Sequence, residues 1–180
     1  MSDVYELHLC GLVRSLPKVR VAPDLSIASF VMLGDTELIE ACAEALAERF
    51  PRQGLDLLVC PEAKGIPLTH AVARRLGLNY VVARKSVKSY MENPQVEEVR
   101  SITTAGVQTV VLDGVDARKL CGKKVAVVDD VVSTGGSLLS LEKLLERVGC
   151  RVVLRAAVLL EEGGFDGDLV YLDRLPLFRD

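Results

Sequence analysis

The stretch VAVVDDVVSTGGS, Val125–Ser137, sets four apolar residues against two adjacent carboxylates and then a small, glycine-containing turn. VAVV reads as a buried strand with Asp129 and Asp130 at its carboxyl end, and Thr134-Gly135-Gly136-Ser137 turns into a helix. Amides at a helix start point outward and the helix dipole there favours anions, so the turn is suited to cradle a phosphate. Its glycines let the backbone approach a ligand without a Cβ in the way, and its Ser and Thr hydroxyls add donors. Carboxylates only accept hydrogen bonds, so beside a phosphate they suit vicinal hydroxyls such as those of a ribose. A phosphate clamp and a diol clamp a few residues apart describe a site for ribose 5-phosphate. The spacing is neither Gly-x-x-x-x-Gly-Lys-Ser/Thr nor Gly-x-Gly-x-x-Gly, which sets aside the two commonest nucleotide loops.

Outward from this point, strand and helix patterns alternate. Leu38, Ile39, Cys42, Leu46 and Phe50 recur at helical spacing between Asp35, a natural N-cap, and Pro51. LDLLVC (Leu55–Cys60) reads as a buried strand, Pro67–Leu76 as a helix closed by Gly77, and NYVVA (Asn79–Ala83) as a further strand. Arg84–Pro94 reads as a long loop, and RSITT and QTVVLD as a hairpin about Ala105-Gly106. After the opening motif come a leucine-striped helix ending at Gly149, the strand RVVLRAAVLLEE and a short terminal strand in LVYLDRLPLF. This order predicts an α/β fold: a parallel twisted sheet flanked by helices, with right-handed crossovers and its binding site at the carboxyl ends of the strands.

The composition fits that class. The chain has 180 residues, 49% hydrophobic and 26% charged, enough for a single domain over 1–180 with a substantial core. A net charge of −3 argues against a nucleic-acid partner. No apolar run approaches the ~20 residues that span a bilayer, and MSDVYELHLC lacks the layout of a signal peptide. A cytoplasmic protein without membrane contact is expected. The five cysteines are scattered and odd in number, which suits reduced, mostly buried thiols rather than a disulfide framework or a zinc site. His8 and His70 read as ordinary residues.

All thirteen residues of the opening motif resemble the 5-phosphoribosyl-1-pyrophosphate (PRPP) signature of type I phosphoribosyltransferases, and the resemblance extends in element order over most of the chain. It implies that Ser133, Thr134, Gly135, Gly136 and Ser137 bind the 5′-phosphate and that Asp129 and Asp130 hold the ribose hydroxyls. PEAKG is similar to the family's Glu-Ala/Ser-Arg-Gly pyrophosphate loop, with Lys64 where many members have arginine. That likeness implies pyrophosphate binding by Glu62, Ala63, Lys64 and Gly65, and a cis peptide between Glu62 and Ala63. Arg84 and Lys85 match the Arg-Lys pair that purine-type members carry before their mobile loop, with Lys88 as a further cation for the leaving group. Residues 86–110 would then form the flexible catalytic loop, and 1–35 a small N-terminal hood.

For the base, Ser133 stands where hypoxanthine–guanine members place an aspartate. Leu16-Pro17 and the segment from Val21 to Ser26 are similar to the adenine members' hood motif, although Ala22 and Pro23 replace its phenylalanine and arginine. The base pocket is therefore expected near Val21, Ala22 and Leu25. The resemblance implies a purine phosphoribosyltransferase acting on adenine first and xanthine next. Mg²⁺ would be carried by PRPP, with no direct protein ligand beyond a role for Asp129 and Asp130, and the protein would be a homodimer. Two alternatives stay open: a non-catalytic PRPP-binding regulator, and an orotate-type pyrimidine transferase.

Overall fold

A computed structural model describes residues 3–51, 53–99 and 108–179. In chain order the elements are β1 (Val4–Leu9), β2 (Leu12–Ala22), β3 (Leu25–Ala28), α1 (Thr36–Ala47), β4 (Leu57–Pro61), α2 (Ile66–Leu76), β5 (Asn79–Ala83), β6 (Gln95–Val99) and β7 (Gln108–Leu112). There follow α3 (Gly114–Leu120), β8 (Lys124–Val132), α4 (Gly136–Arg147), β9 (Arg151–Glu161), β10 (Val170–Leu175) and β11 (Leu177–Arg179).

Five strands form the central sheet in the order β10-β9-β8-β4-β5, and every pairing in it is parallel. The chain lays β5 outside β4, returns to place β8 on the other side of β4, and builds β9 and β10 outward from there. The direction of winding reverses between β4 and β8. In open parallel sheets ligands bind at such a reversal, outside the carboxyl ends of the strands.

The helices form where the apolar spacing predicts them. Asp35 caps α1 by accepting from the Leu38 amide at 3.1 Å, and Leu38, Ile39, Cys42, Ala43 and Leu46 make its buried side. Proline opens α2, and Gly77 closes it with φ 67°, a left-handed conformation that glycine adopts without steric cost. One sheet face packs on Leu38, Leu46, Leu68 and Phe30, the other on Leu120, Leu141, Leu144 and Leu145. Burial pushes the thiols of Cys60 and Cys150 up to about 12 and about 11, so both are inert apolar fillers at neutral pH.

Across α4 and β9, Arg155 Nε donates to Glu142 Oε1 and Arg155 Nη2 to Glu142 Oε2, the latter at 3.0 Å. Glu142 is buried. Arg155→Ala strands that carboxylate without its partner and is expected to cost about 2 kcal/mol, lowering the melting temperature by about 4–8 °C in a thermal melt.

The structure departs from the sequence reading in four places. The N-terminal segment expected as a hood, from which no strand was read, contains β1, β2 and β3, which form an antiparallel sheet joined on the far side of β3 by β11. Its strands escaped notice because apolar residues occupy both faces of β2, with Leu16 buried and Val13, Val19 and Val21 exposed, which erases the period-two signal. The terminal strand is two strands, broken at Pro176 between β10 and β11. The seven-residue α3 is too short for a periodicity, and Asp113 caps it by accepting from Val115 N–H at 3.1 Å. The hairpin pairs β7 with Gln95–Val99; RSITT and the Ala105-Gly106 turn lie outside the described residues.

Candidate active site

The chain leaves β4 through Pro61 and a cis peptide between Glu62 and Ala63, the geometry that the family resemblance implies. α2 begins at Ile66, and the Ile66 amide is taken by the Ala63 carbonyl at 3.2 Å. Among the described residues the amides of Ala63, Lys64 and Gly65 have no backbone partner, so three donors are free at the head of a helix.

β8 carries the acids. It runs two residues past them to Val132, so Asp129 and Asp130 sit within the last turns of the strand rather than beyond it. Asp130 is 6% exposed, and its Oδ2 has no hydrogen-bond partner among the described residues. Asp129 is half-buried, and its Oδ1 accepts from the Asp130 amide at 2.8 Å. Burial, reinforced by the neighbouring Asp130 charge, holds the Asp129 carboxyl well above the usual carboxylate range. Buried like charges with so few donors are unfavourable in the empty protein and await hydroxyls or a cation.

The loop from Ser133 to Gly135 then turns into α4. Gly135 has φ 81°, and the first helical bond runs from Leu139 N–H to the Gly135 carbonyl at 2.9 Å. The amides of Gly136, Ser137 and Leu138 therefore lack an intrahelical partner. The first loop lies close against β8: a Cβ on Gly65 would lie 3.1 Å from Asp129 Oδ1 and 3.3 Å from its Cα. Any side chain there would press on Asp129, so glycine suits the close approach of this loop to the acid pair.

The cations come from β5. The Glu62 carboxylate accepts from Lys85 N–H at 3.1 Å and lies 3.4 Å from Arg84 Nη1. The Lys85 amide, with the positive charges of Arg84 and Lys88, holds the Glu62 carboxyl below its usual range. These groups line a cleft of about 560 Å³ formed by Glu62, Ala63, Lys64, Arg84, Lys85, Asp129, Asp130 and Ser137, with Pro61, Ala83, Thr109, Val110 and Val131. A larger open hollow beside Glu44 and Arg75 holds no comparable convergence, and Arg75 there is bound to Glu40 at 2.6 Å.

Of the residues expected at the site, Glu62, Ala63, Lys64, Arg84, Lys85, Asp129, Asp130 and Ser137 converge on the cleft. Gly65 lies close to Asp129; Ser133, Thr134, Gly135 and Gly136 precede Ser137 in the chain and are not among the residues that line the cleft. Lys88 stands off the cleft wall with its ammonium 2.8 Å from Ser86 Oγ. Val21, Ala22 and Leu25 do not line the cleft; they lie where β2 bulges and turns into β3. Two contributors were not singled out from the sequence, one of them inside the 86–110 segment expected as the loop. Thr109 lines the cleft from β7. Phe165, in the Gly163–Gly167 turn after β9, donates its amide to the Ser133 carbonyl at 2.7 Å and sets its ring against Gly135. The only signal for that turn is its three glycines.

Among the described residues no group of three or more His, Cys, Asp or Glu side chains could hold a metal. The acid pair still offers hard oxygen donors, one of them unpartnered, which suits Mg²⁺ completed by waters and substrate oxygens.

Anion-binding turns after two adjacent parallel strands, joined by an acid pair and flanked by cations, define an α/β protein suited to a phosphorylated, polyanionic sugar. Residues 32–167 match the family model described as phosphoribosyl transferase domain. A relative named "HGPRTase-like protein 3" from Haloterrigena turkmenica is 36% identical over 93% of this chain and 78% of its own length. An adenine phosphoribosyltransferase from Mycobacterium tuberculosis is 33% identical over 76% of this chain, which spans 61% of that protein. The crystal structure of an adenine phosphoribosyltransferase from Thermoanaerobacter pseudethanolicus superposes with a TM-score of 0.72 at 23% identity, over 88% of this chain and 95% of that one. The chain belongs to the phosphoribosyl transferase domain family, and its fold is the one the opening motif implied. Among the described residues no helix is long and apolar enough to cross a membrane.

Proposed function

We propose that this chain is a purine phosphoribosyltransferase, moving 5-phosphoribosyl from PRPP to a purine base and yielding the nucleoside 5′-monophosphate and pyrophosphate, a purine-salvage reaction. The observation that carries this reading is the single cleft in which Ala63 and Lys64 of the first turn, the Asp129–Asp130 pair, Ser137 at the head of α4, and Arg84 and Lys85 face one another.

The chemistry follows from the residues. The amides and hydroxyls of Ser133–Ser137 hold the 5′-phosphate. Asp129 and Asp130 accept from the ribose hydroxyls, giving Asp130 Oδ2 the partner it lacks. The amides of Ala63, Lys64 and Gly65, with the charges of Lys64, Arg84, Lys85 and Lys88, hold the pyrophosphate. The Glu62 carboxylate would repel that group, so it serves the loop through its bonds to Arg84 and Lys85. As the C1′–oxygen bond breaks, negative charge accumulates on the departing pyrophosphate and these fixed donors stabilise it. A base nitrogen then attacks C1′, and catalysis rests on positioning rather than on a protein nucleophile. Bound with PRPP, Mg²⁺ would neutralise charge on the pyrophosphate and ribose oxygens. Residues 86–110 serve as the loop that excludes water from the ribosyl centre, and 1–35 as the hood near the base, in a cytoplasmic homodimer.

Ser133, in place of the aspartate of hypoxanthine–guanine members, supports adenine as the first base and xanthine as the next, with Val21, Ala22 and Leu25 toward it. The two relatives above carry names that point to different bases, so the test is a panel. Pyrophosphate release and nucleotide formation are measured with PRPP, Mg²⁺ and each of adenine, xanthine, hypoxanthine, guanine and orotate. Turnover is expected with adenine above the others. Turnover with orotate alone moves the chain to the pyrimidine branch. PRPP binding without turnover on any base makes it a regulator.

A further inference from the structure

The backbone of the Arg84–Lys85 pair is held at every polar group. Arg84 N–H donates to the Val111 carbonyl and the Val111 amide donates back to the Arg84 carbonyl, both at 2.8 Å. Lys85 N–H donates to Glu62 Oε2 at 3.1 Å. The last group, the Lys85 carbonyl, accepts from Thr109 Oγ1 at 2.7 Å. Beyond it the chain leaves the sheet, and Ser86 and Val87 are exposed. Thr109 thus supplies the last of these restraints before the chain leaves the sheet, and the only one of the four made by a hydroxyl.

The side chain that this restraint aims is free to meet a ligand. Among the described residues no carboxylate pairs with the Lys85 ammonium, although Lys85 lines the cleft. Arg84, by contrast, already leans on Glu62. With both N–H and carbonyl of Lys85 fixed, its backbone dihedrals are fixed, and the side chain leaves from a set position and direction.

We propose that Thr109 is a positioning residue for Lys85: its hydroxyl, delivered by β7, sets the direction in which the Lys85 ammonium meets the pyrophosphate group. The inference rests on the phosphoribosyltransferase reading above and deepens it. It also ties the leaving-group site to the hairpin. β7 carries Thr109, β6 pairs with β7, and β6 is tied to the end of α4 by Arg147, whose Nη2 donates to the Val96 carbonyl at 2.6 Å and whose Nη1 lies 3.1 Å from Glu97 Oε2. Any rearrangement of the hairpin is thus felt at the cation.

The test uses Thr109→Val, which keeps the shape and β-propensity of threonine but removes the hydroxyl, and Thr109→Ser, which restores it. Pyrophosphate affinity is read by titration calorimetry, and kcat with KM for PRPP and for the base in the forward reaction. Thr109→Val is expected to weaken pyrophosphate binding and kcat/KM for PRPP by roughly 10–100-fold, the scale of a misplaced catalytic group, with KM for the base within about twofold. Thr109→Ser should regain most of the loss. The deciding measurement repeats Thr109→Val in a Lys85→Ala background, where it should do almost nothing further. Thr109→Ala carries the same comparison if the valine variant melts early. Equal pyrophosphate affinity in Thr109→Val and wild type, or losses that simply add to those of Lys85→Ala, overturns the inference alone. Wild-type protein that binds neither PRPP nor pyrophosphate overturns it together with the functional reading.

Discussion

The double variant Asp129→Asn, Asp130→Asn will lose PRPP binding altogether and yet melt higher than the wild-type protein without ligand. Both effects have one origin. Asp129 is half-buried beside the Asp130 charge, and its carboxyl is held well above the usual range, while Asp130 keeps an oxygen without a partner. Removing two like charges from such a place relieves the empty fold by about 1 kcal/mol, or about 2–4 °C. The same change removes the acceptors of the ribose hydroxyls, which asparagine replaces with a weaker acceptor and an unwanted donor. The sign with pH follows. A carboxyl whose folded value is raised favours the folded state below the unfolded value of about 3.9, and that contribution is lost as pH rises toward the folded value. Ligand-free wild type should therefore lose stability over that interval more steeply than the double variant. Hydroxyl donors favour the ionised pair, so PRPP affinity should strengthen as pH rises. Calorimetric titration and melts at several pH values check both. A double variant that binds PRPP normally removes the acids from the sugar site, and one that fails to fold makes them structural.

The second large effect is expected from Gly135→Ala. Gly135 has φ 81°, and a methyl group there would lie 2.4 Å from Cδ2 of Phe165. The left-handed backbone alone costs alanine about 1–2 kcal/mol, and displacing the ring adds a comparable amount. A loss of about 3 kcal/mol, or roughly 6–12 °C in the melt, is expected. KM for PRPP should rise more than about tenfold, because the free amides that follow Gly135 lose their common aim. Phe165→Ala identifies the obstacle: combined with Gly135→Ala it should give less than the sum of the two separate losses. Additive losses would show that the methyl group meets something other than the ring.

The parts of the site that lay open in the sequence are those made by contiguous residues. Val125–Ser137 carries strand, acids, turn and helix start in one run, and Pro61–Gly65 does the same on the neighbouring strand. Local chemistry dictates both, and each keeps its strand, turn and helix start in the fold. What lay hidden depends on residues far apart in the chain. Thr109 reaches the cleft because β7 pairs at Arg84 and Val111, a register that no local pattern announces. Phe165 matters because a turn after β9 folds back onto Ser133. The hood strands were invisible for a different reason: with valines on the outer face of β2, the alternation that marks a half-buried strand is gone. Val21, Ala22 and Leu25 are singled out only by a short likeness to a hood motif; they lie at the β2–β3 bulge, apart from the residues that line the cleft.

The outer sheet is stitched from both ends of the chain, with β11 lying against β3. While a ribosome is still making the protein, β3 emerges well before its partner, so the hydrogen-bonding edge at Leu25–Ile27 stays bare while the residues between β3 and β11 are added. A bare edge is a template for any neighbouring strand. A nascent chain whose β3 has emerged and whose β11 has not thus offers that edge to its neighbours, and the pairing of Leu177–Arg179 with it is what closes the template.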